Sequence, residues 1–138
     1  MAMQKRELRA RNYFTEAQLT SHYASGILRV LLNNQPRREQ PYQMMQLMQW
    51  NWFLDHGVLR MDRSSGTISI DYSRYHDAVR DLLKEVLALQ DSGDKAAARA
   101  FIDRWGMWDD SLHGRVASAI RAQEQSRFRL FEYAALKQ

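Results

Sequence analysis

The stretch Pro41-Tyr42-Gln43-Met44-Met45-Gln46-Leu47-Met48-Gln49-Trp50-Asn51-Trp52-Phe53-Leu54-Asp55-His56-Gly57 decides how the rest of the chain must fold. Pro41 suits a first helical turn, where its missing amide proton costs nothing. Gly57, following His56, can take the left-handed conformation at which helices commonly stop. Between them, Met44, Met45, Leu47, Met48, Trp50, Trp52, Phe53 and Leu54 leave little polar face. A helix from about Pro41 to Asp55 is therefore expected to be buried on several sides. Its methionines read as core filling rather than as a ligand groove, because the flexible thioether fills irregular gaps. Other elements have to wrap around it.

Working upstream, Thr15 can cap a helix from Glu16 to Leu32 that places Leu19, Tyr23, Ile27 and Val30 or Leu31 on one face. Gly26 costs helix propensity and is expected where a neighbour packs closely. Asn33 to Arg38 reads as a polar connection. Downstream, Val58 to Asp62 and Thr67 to Asp71 flank Arg63-Ser64-Ser65-Gly66, a turn between two β-prone runs. Ile68 and Ile70 alternate with Thr67 and Ser69, so one face of that hairpin packs and the other is wet.

Asp71 or Ser73 caps a third helix reaching about Ser92, with Tyr75, Ala78, Val79, Leu82, Leu83, Val86, Leu87 and Leu89 as its expected buried stripe. Gly93 stops it and Asp94 starts a fourth. There Ala97, Phe101 and Trp105 recur every four residues, and Ala98 and Ile102 widen the face. The short gap predicts an antiparallel helical hairpin. Gly106 ends the fourth helix. Asp109-Asp110-Ser111 opens a fifth, carrying Leu112, Val116 and Ile120 and, at its end, Phe128, Leu130, Phe131 and Tyr133. The expected fold is mainly α: about five helices in an irregular bundle, with one small β-hairpin between the second and third. Residues 1–138 read as a single helical domain. Residues 1–14 read as a basic N-terminal segment, whose bare start at Met1-Ala2-Met3 suits a boundary cut from something longer.

With 138 residues, 45% hydrophobic and 11% aromatic, the chain can bury a core. Its apolar runs, such as Val30-Leu31-Leu32, fall far short of the ~20 residues that span a bilayer. Met1 to Arg6 lacks the apolar core of a signal peptide. The absence of cysteine excludes disulfides and thiolate metal sites. A cytoplasmic protein is the expectation. The net charge of +4 is modest and scattered, with Lys5, Arg6, Arg9 and Arg11 as its one terminal cluster.

No catalytic constellation emerges. His22, His56, His76 and His113 show no spacing of three or four, so no helical pair of metal ligands forms. His56 suits a helix end, while His76 and His113 fall in first turns and are expected to be exposed or satisfied by neighbours. Gly-x-Ser-x-Gly and the glycine-rich phosphate loops are missing. Asp109-Asp110 sits where a helix cap belongs. No catalytic, cofactor-binding or metal residue is assigned.

One run of pieces resembles a known family. Met48-Gln49-Trp50-Asn51-Trp52-Phe53-Leu54-Asp55-His56-Gly57-Val58-Leu59 is similar to the Gln-x-Asn-Tyr-Leu-Leu-Glu-Lys-Gly-Ala-Ile run of dipeptidyl-peptidase III-like proteins. Gly66 to Ser73 resembles their Gly-x-Phe-x-Val-Asp segment, and Ala78 to Gln90 their Ala-Val-x-x-Leu-x-x-Glu-x-Leu-x-x-Gln helix. Asp91 to Phe101 resembles their Gly-Asp-Tyr-x-x-Ala-x-x-Phe element, and Arg104-Trp105-Gly106 their Lys-Tyr-Gly. The family comprises zinc metallopeptidases and related hydrolases, some fused to Nudix domains, and the likeness falls in their C-terminal portion. The family's His-Glu-x-x-x-His and Glu-Glu zinc motifs are absent here. The resemblance implies a non-catalytic C-terminal domain supporting a zinc hydrolase, with zinc in the parent enzyme and the rest of that polypeptide as partner.

Two alternatives come from the residues. A helix, a glycine stop and a hairpin bearing Arg60 and Arg63 could be a winged-helix nucleic-acid binder, with Gln43, Gln46, Gln49 and Asn51 as a partial set of base donors. A stand-alone interaction module could use exposed Trp105, Trp108 and Phe131, with a homo-oligomer left open.

Overall fold

The computed structural model describes residues 7–29, 35–37 and 39–122. After a helical turn over residues 7–10, the order is α1 (Glu16–Arg29), α2 (Pro41–Asp55), β1 (Leu59–Met61), β2 (Ile68–Ile70), α3 (Tyr72–Ser92), α4 (Lys95–Trp105), a single π-helical turn (Asp110–Gly114) and α5 (Arg115–Ala122). The fold is mainly helical, with one small antiparallel hairpin between the second and third of these helices. No helix among the described residues is long and apolar enough to cross a membrane.

Local chemistry explains each boundary. Thr15 and Gln18 form a reciprocal capping box: the Gln18 amide donates to Thr15 Oγ1 (3.2 Å) and the Thr15 amide to Gln18 Oε1 (2.9 Å). Asp71, Asp94 and Asp109 each accept a backbone amide of the turn that follows. At the end of α2, Gly57 sits at φ +67°. The Val58 amide donates to Phe53 O (2.9 Å) and the Gly57 amide to Leu54 O (3.2 Å), a Schellman stop. That stop aims the chain straight into β1.

The hairpin pairs Leu59 with Ile70 and Met61 with Ile68, which turns those four side chains inward and Arg60 and Ser69 outward. Its turn is organised by Asp62, whose carboxylate accepts from the hydroxyls of Ser64 (2.6 Å) and Ser65 (2.7 Å) and from the Ser64 amide (2.8 Å). Those bonds hold the Asp62 carboxyl well below the usual carboxylate range. The Asp71 amide closes onto Val58 O (2.8 Å), tying the start of α3 back to the stop of α2.

The core gathers around the second half of α2. Trp50 and Val58 are completely buried, and Trp52, Phe53 and Leu59 nearly so. Ile27 of α1, Ala78 of α3, Trp105 of α4 and Val116 and Ala117 of α5 close around them. Trp52 Nε1 donates to Ala78 O (2.9 Å), which satisfies the indole and fixes the α2–α3 crossing. Tyr23 of α1 stacks on Tyr75 of α3 with ring centroids 4.3 Å apart.

Four expectations need correction. Among the described residues a Cβ at Gly26 would meet nothing within 4 Å, so none of them packs on it. Leu83, Val86 and Leu87 of α3, expected in the buried stripe, are exposed, as is Ile102 of α4. The inward stripe of α3 is Tyr75, Ala78, Val79 and Leu82. α4 packs chiefly on α2 rather than along α3. Finally, the fifth helical unit opens through the π turn, where the His113 amide bonds to Asp109 O (2.7 Å). The expected positions of Phe128, Leu130, Phe131 and Tyr133 lie outside the described residues.

Candidate functional site

Between α3 and α4, which both pack on α2, a groove of about 500 Å³ opens over the end of α2. Its floor is aromatic. The His56 ring stacks on Trp52 at 4.0 Å, and Trp52 meets Trp105 at 4.9 Å. His56 Nδ1 donates to Trp52 O (2.9 Å), so this imidazole is anchored to the helix end. The Arg104 guanidinium lies 4.6 Å from the centre of the Trp105 ring, a cation–π contact at the groove wall. Asp55 and Glu85 add carboxylates to the lining. Beyond the groove, the outer face of α3 carries Leu83, Val86 and Leu87, and Leu87 is 53% exposed.

A second feature is polar and buried. Asn51 Nδ2 donates to both Trp105 O (2.7 Å) and Met107 O (2.8 Å), and Asn51 Oδ1 lies 2.7 Å from His113 Nε2. The Asp109 amide donates to His113 Nδ1 (2.9 Å). His113 is only 2% exposed, and burial pushes its imidazole below the ordinary histidine range. His113, expected in a first helical turn and exposed or satisfied by neighbours, is thus satisfied by them, and Asn51, a candidate base donor in the winged-helix reading, is one of those partners. The spacing of 62 residues between them carries no local signal, which is why the pair went unseen.

A third feature straps the hairpin to the C-terminal unit. Arg115 donates to the backbone carbonyls of Arg63 and Ser64, and Arg63 in turn donates to Ser111 Oγ (3.1 Å) and pairs with Asp109 (3.4 Å). Gly66 sits against the Arg115 guanidinium at φ +75°.

These placements test the candidate residues one by one. Trp105 is buried, so it is not an exposed contact residue; Trp108 is half-buried and donates to Asp110 (2.6 Å). Asn51 spends its amide inside the protein, Gln43, Gln46 and Gln49 are half-buried, and α2 is the innermost helix. Arg63 is engaged by Asp109 and Ser111. Of the donors that a recognition helix and wing would use, Asn51 and Arg63 are thus engaged within the protein, while Arg60 is exposed. Among the described residues there is no group of three or more His, Cys, Asp or Glu side chains placed to hold a metal ion. His56 and His113 already use ring nitrogens on protein partners.

Comparison with protein-family models, with curated proteins and with solved structures returns no match for this chain.

Proposed function

We propose that the chain is the non-catalytic C-terminal helical domain of a zinc-dependent peptidase or hydrolase resembling dipeptidyl-peptidase III, and that it serves that enzyme as a packing support. The observation that carries the supporting role is the outer face of α3, where Leu83, Val86 and Leu87 form an aliphatic i, i+3, i+4 patch beside an aromatic-floored groove. Adjacent apolar side chains of this kind mark a face that another surface covers. The remainder of the parent polypeptide is the partner in this reading, and the cytoplasm its compartment. The identity of the parent rests on the ordered sequence series. Those pieces fall on consecutive elements, from α2 and its Gly57 stop through β2 and α3 to the Gly93 corner and the end of α4.

Expression of the chain alone and joined to the polypeptide encoded directly upstream tests the reading. The chain alone is expected to retain no stoichiometric zinc after dialysis and to release no dipeptides. The joined protein is expected to retain zinc and to release dipeptides. Zinc retention with dipeptide release by the chain alone would overturn the proposal. So would an upstream sequence without His-Glu-x-x-x-His. Concentration-dependent dimerisation in light scattering would instead assign the α3 face to a second copy.

A further inference from the structure

His113 is held in one protonation state by its neighbours. A backbone amide can only donate, so the Asp109 N–H fixes Nδ1 as an acceptor. The ring proton is then on Nε2 and donates to Asn51 Oδ1. Asn51 cannot flip to accommodate another arrangement, because its Nδ2 faces two carbonyls, Trp105 O and Met107 O, that only a donor satisfies. One neutral tautomer therefore completes a network joining α2, the end of α4, the 106–109 connection and the π turn.

A second proton has no comparable place. At Nδ1 it would confront the Asp109 N–H. The acceptor within reach is Asp109 O, 3.2 Å from Nδ1 and already used by the His113 amide. Among the described residues, titratable and charged groups around the ring are few. The Asp109 carboxylate favours the charged form, but Arg63 of the hairpin and the hydroxyl of Ser111 engage it. Asp110 is bonded to Trp108, and Arg115 reaches away to the hairpin carbonyls. α2 faces the ring with neutral Asn51 and Trp50, and the end of α4 contributes Trp105 O through Asn51. Trp108 stacks on the imidazole at 5.1 Å and Trp50 meets it edge-on at 5.3 Å, which offers a cation some attraction but no hydrogen-bond acceptor.

We propose that His113 is an acid-sensitive latch: proton uptake at Nδ1 unseats the π turn and α5 from α2 and slackens the Arg115–Arg63 strap on the hairpin turn. The native imidazole resists protonation while a released one does not, so the open form binds more protons once the pH falls below about 6.5. Attachment is then level above that pH and weakens below it. Lost contacts include the packing of Leu112, Val116 and Ala117, all buried in the latched state.

The test uses the full chain. Imidazole ¹⁵N shifts are followed from about pH 8 to about pH 5, across the histidine range, together with amide hydrogen exchange corrected for intrinsic rate. The expected result is an Nε2–H tautomer at neutral pH, a midpoint below that of a free imidazole, and an opening constant across 110–122 that grows up to about tenfold per pH unit of acidification. Amides of α2 and of the first half of α3 stay protected. In His113→Gln that growth is expected to vanish, and if this variant fails to fold the wild-type titration decides alone. An Nδ1–H tautomer, a midpoint at or above the free value, or exchange in 110–122 that ignores pH would overturn the latch.

Discussion

The two longest helices among the described residues obey opposite rules. α2, 15 residues long, is apolar on nearly every side and lies at the centre; α3, with 21, is cleanly two-faced, yet much of its apolar surface stays outside. The two also differ in length. At 1.5 Å per residue α2 reaches ~22 Å and α3 ~31 Å. α3 begins beside the end of α2, held by the Asp71–Val58 and Trp52–Ala78 bonds. Its first half packs there through Tyr75, Ala78, Val79 and Leu82. Its second half extends beyond those contacts, and Leu83, Val86 and Leu87 are exposed there among the described residues. Hydrophobicity thus decides burial only where a partner surface extends far enough to receive it.

The contrast breaks most violently at Trp50. This side chain is completely buried and meets His113, so Trp50→Ala removes a large volume from a site walled by several elements. A loss of about 3–5 kcal/mol is expected, a large share of an ordinary domain's stability, and a urea titration followed by circular dichroism measures it. Trp50→Phe is expected to cost clearly less. Nε1 has no hydrogen-bond partner among the described residues, so the phenyl ring sacrifices volume but no bond.

How much of this was legible beforehand follows from the range of each signal. The boundaries of α2, the Gly57 and Gly93 stops, and the Asp71, Asp94 and Asp109 caps rest on residues within a turn of each other, so they were readable. The groove, the overhang and the His113–Asn51 pair depend on where separate helices cross. No local pattern encodes a crossing. Gly26 shows the same limit from the other side. A glycine in mid-helix invites a packing explanation, yet no described residue comes within 4 Å of where its Cβ would lie. Gly26→Ala is therefore expected to stabilise the chain by about 0.4–1 kcal/mol, through propensity and a less flexible unfolded state. A raised urea midpoint with an unchanged slope would show it; destabilisation would mean that α1 packs more tightly there than a free Cβ site allows.

The smallest effect on folding is expected on the overhang, and it sharpens the comparison most. Leu87 is more than half exposed, so Leu87→Ser removes little buried area and should shift the stability of the isolated chain by no more than about 0.5 kcal/mol. If the face of α3 is covered in a larger protein, the same substitution buries a hydroxyl without a partner there and leaves a gap in the contact. Stability of the joined protein should then fall by clearly more than that of the chain alone. The difference between the two losses, measured by denaturant titration of both forms, isolates the docking role from folding. Equal losses would show that the aliphatic face of α3 is solvent-facing in the parent as well, and would remove the overhang as the site of attachment. Trp50→Ala cannot make that distinction, because its large loss is common to both forms. A substitution that is nearly silent in the free domain is the one that can report on what covers it.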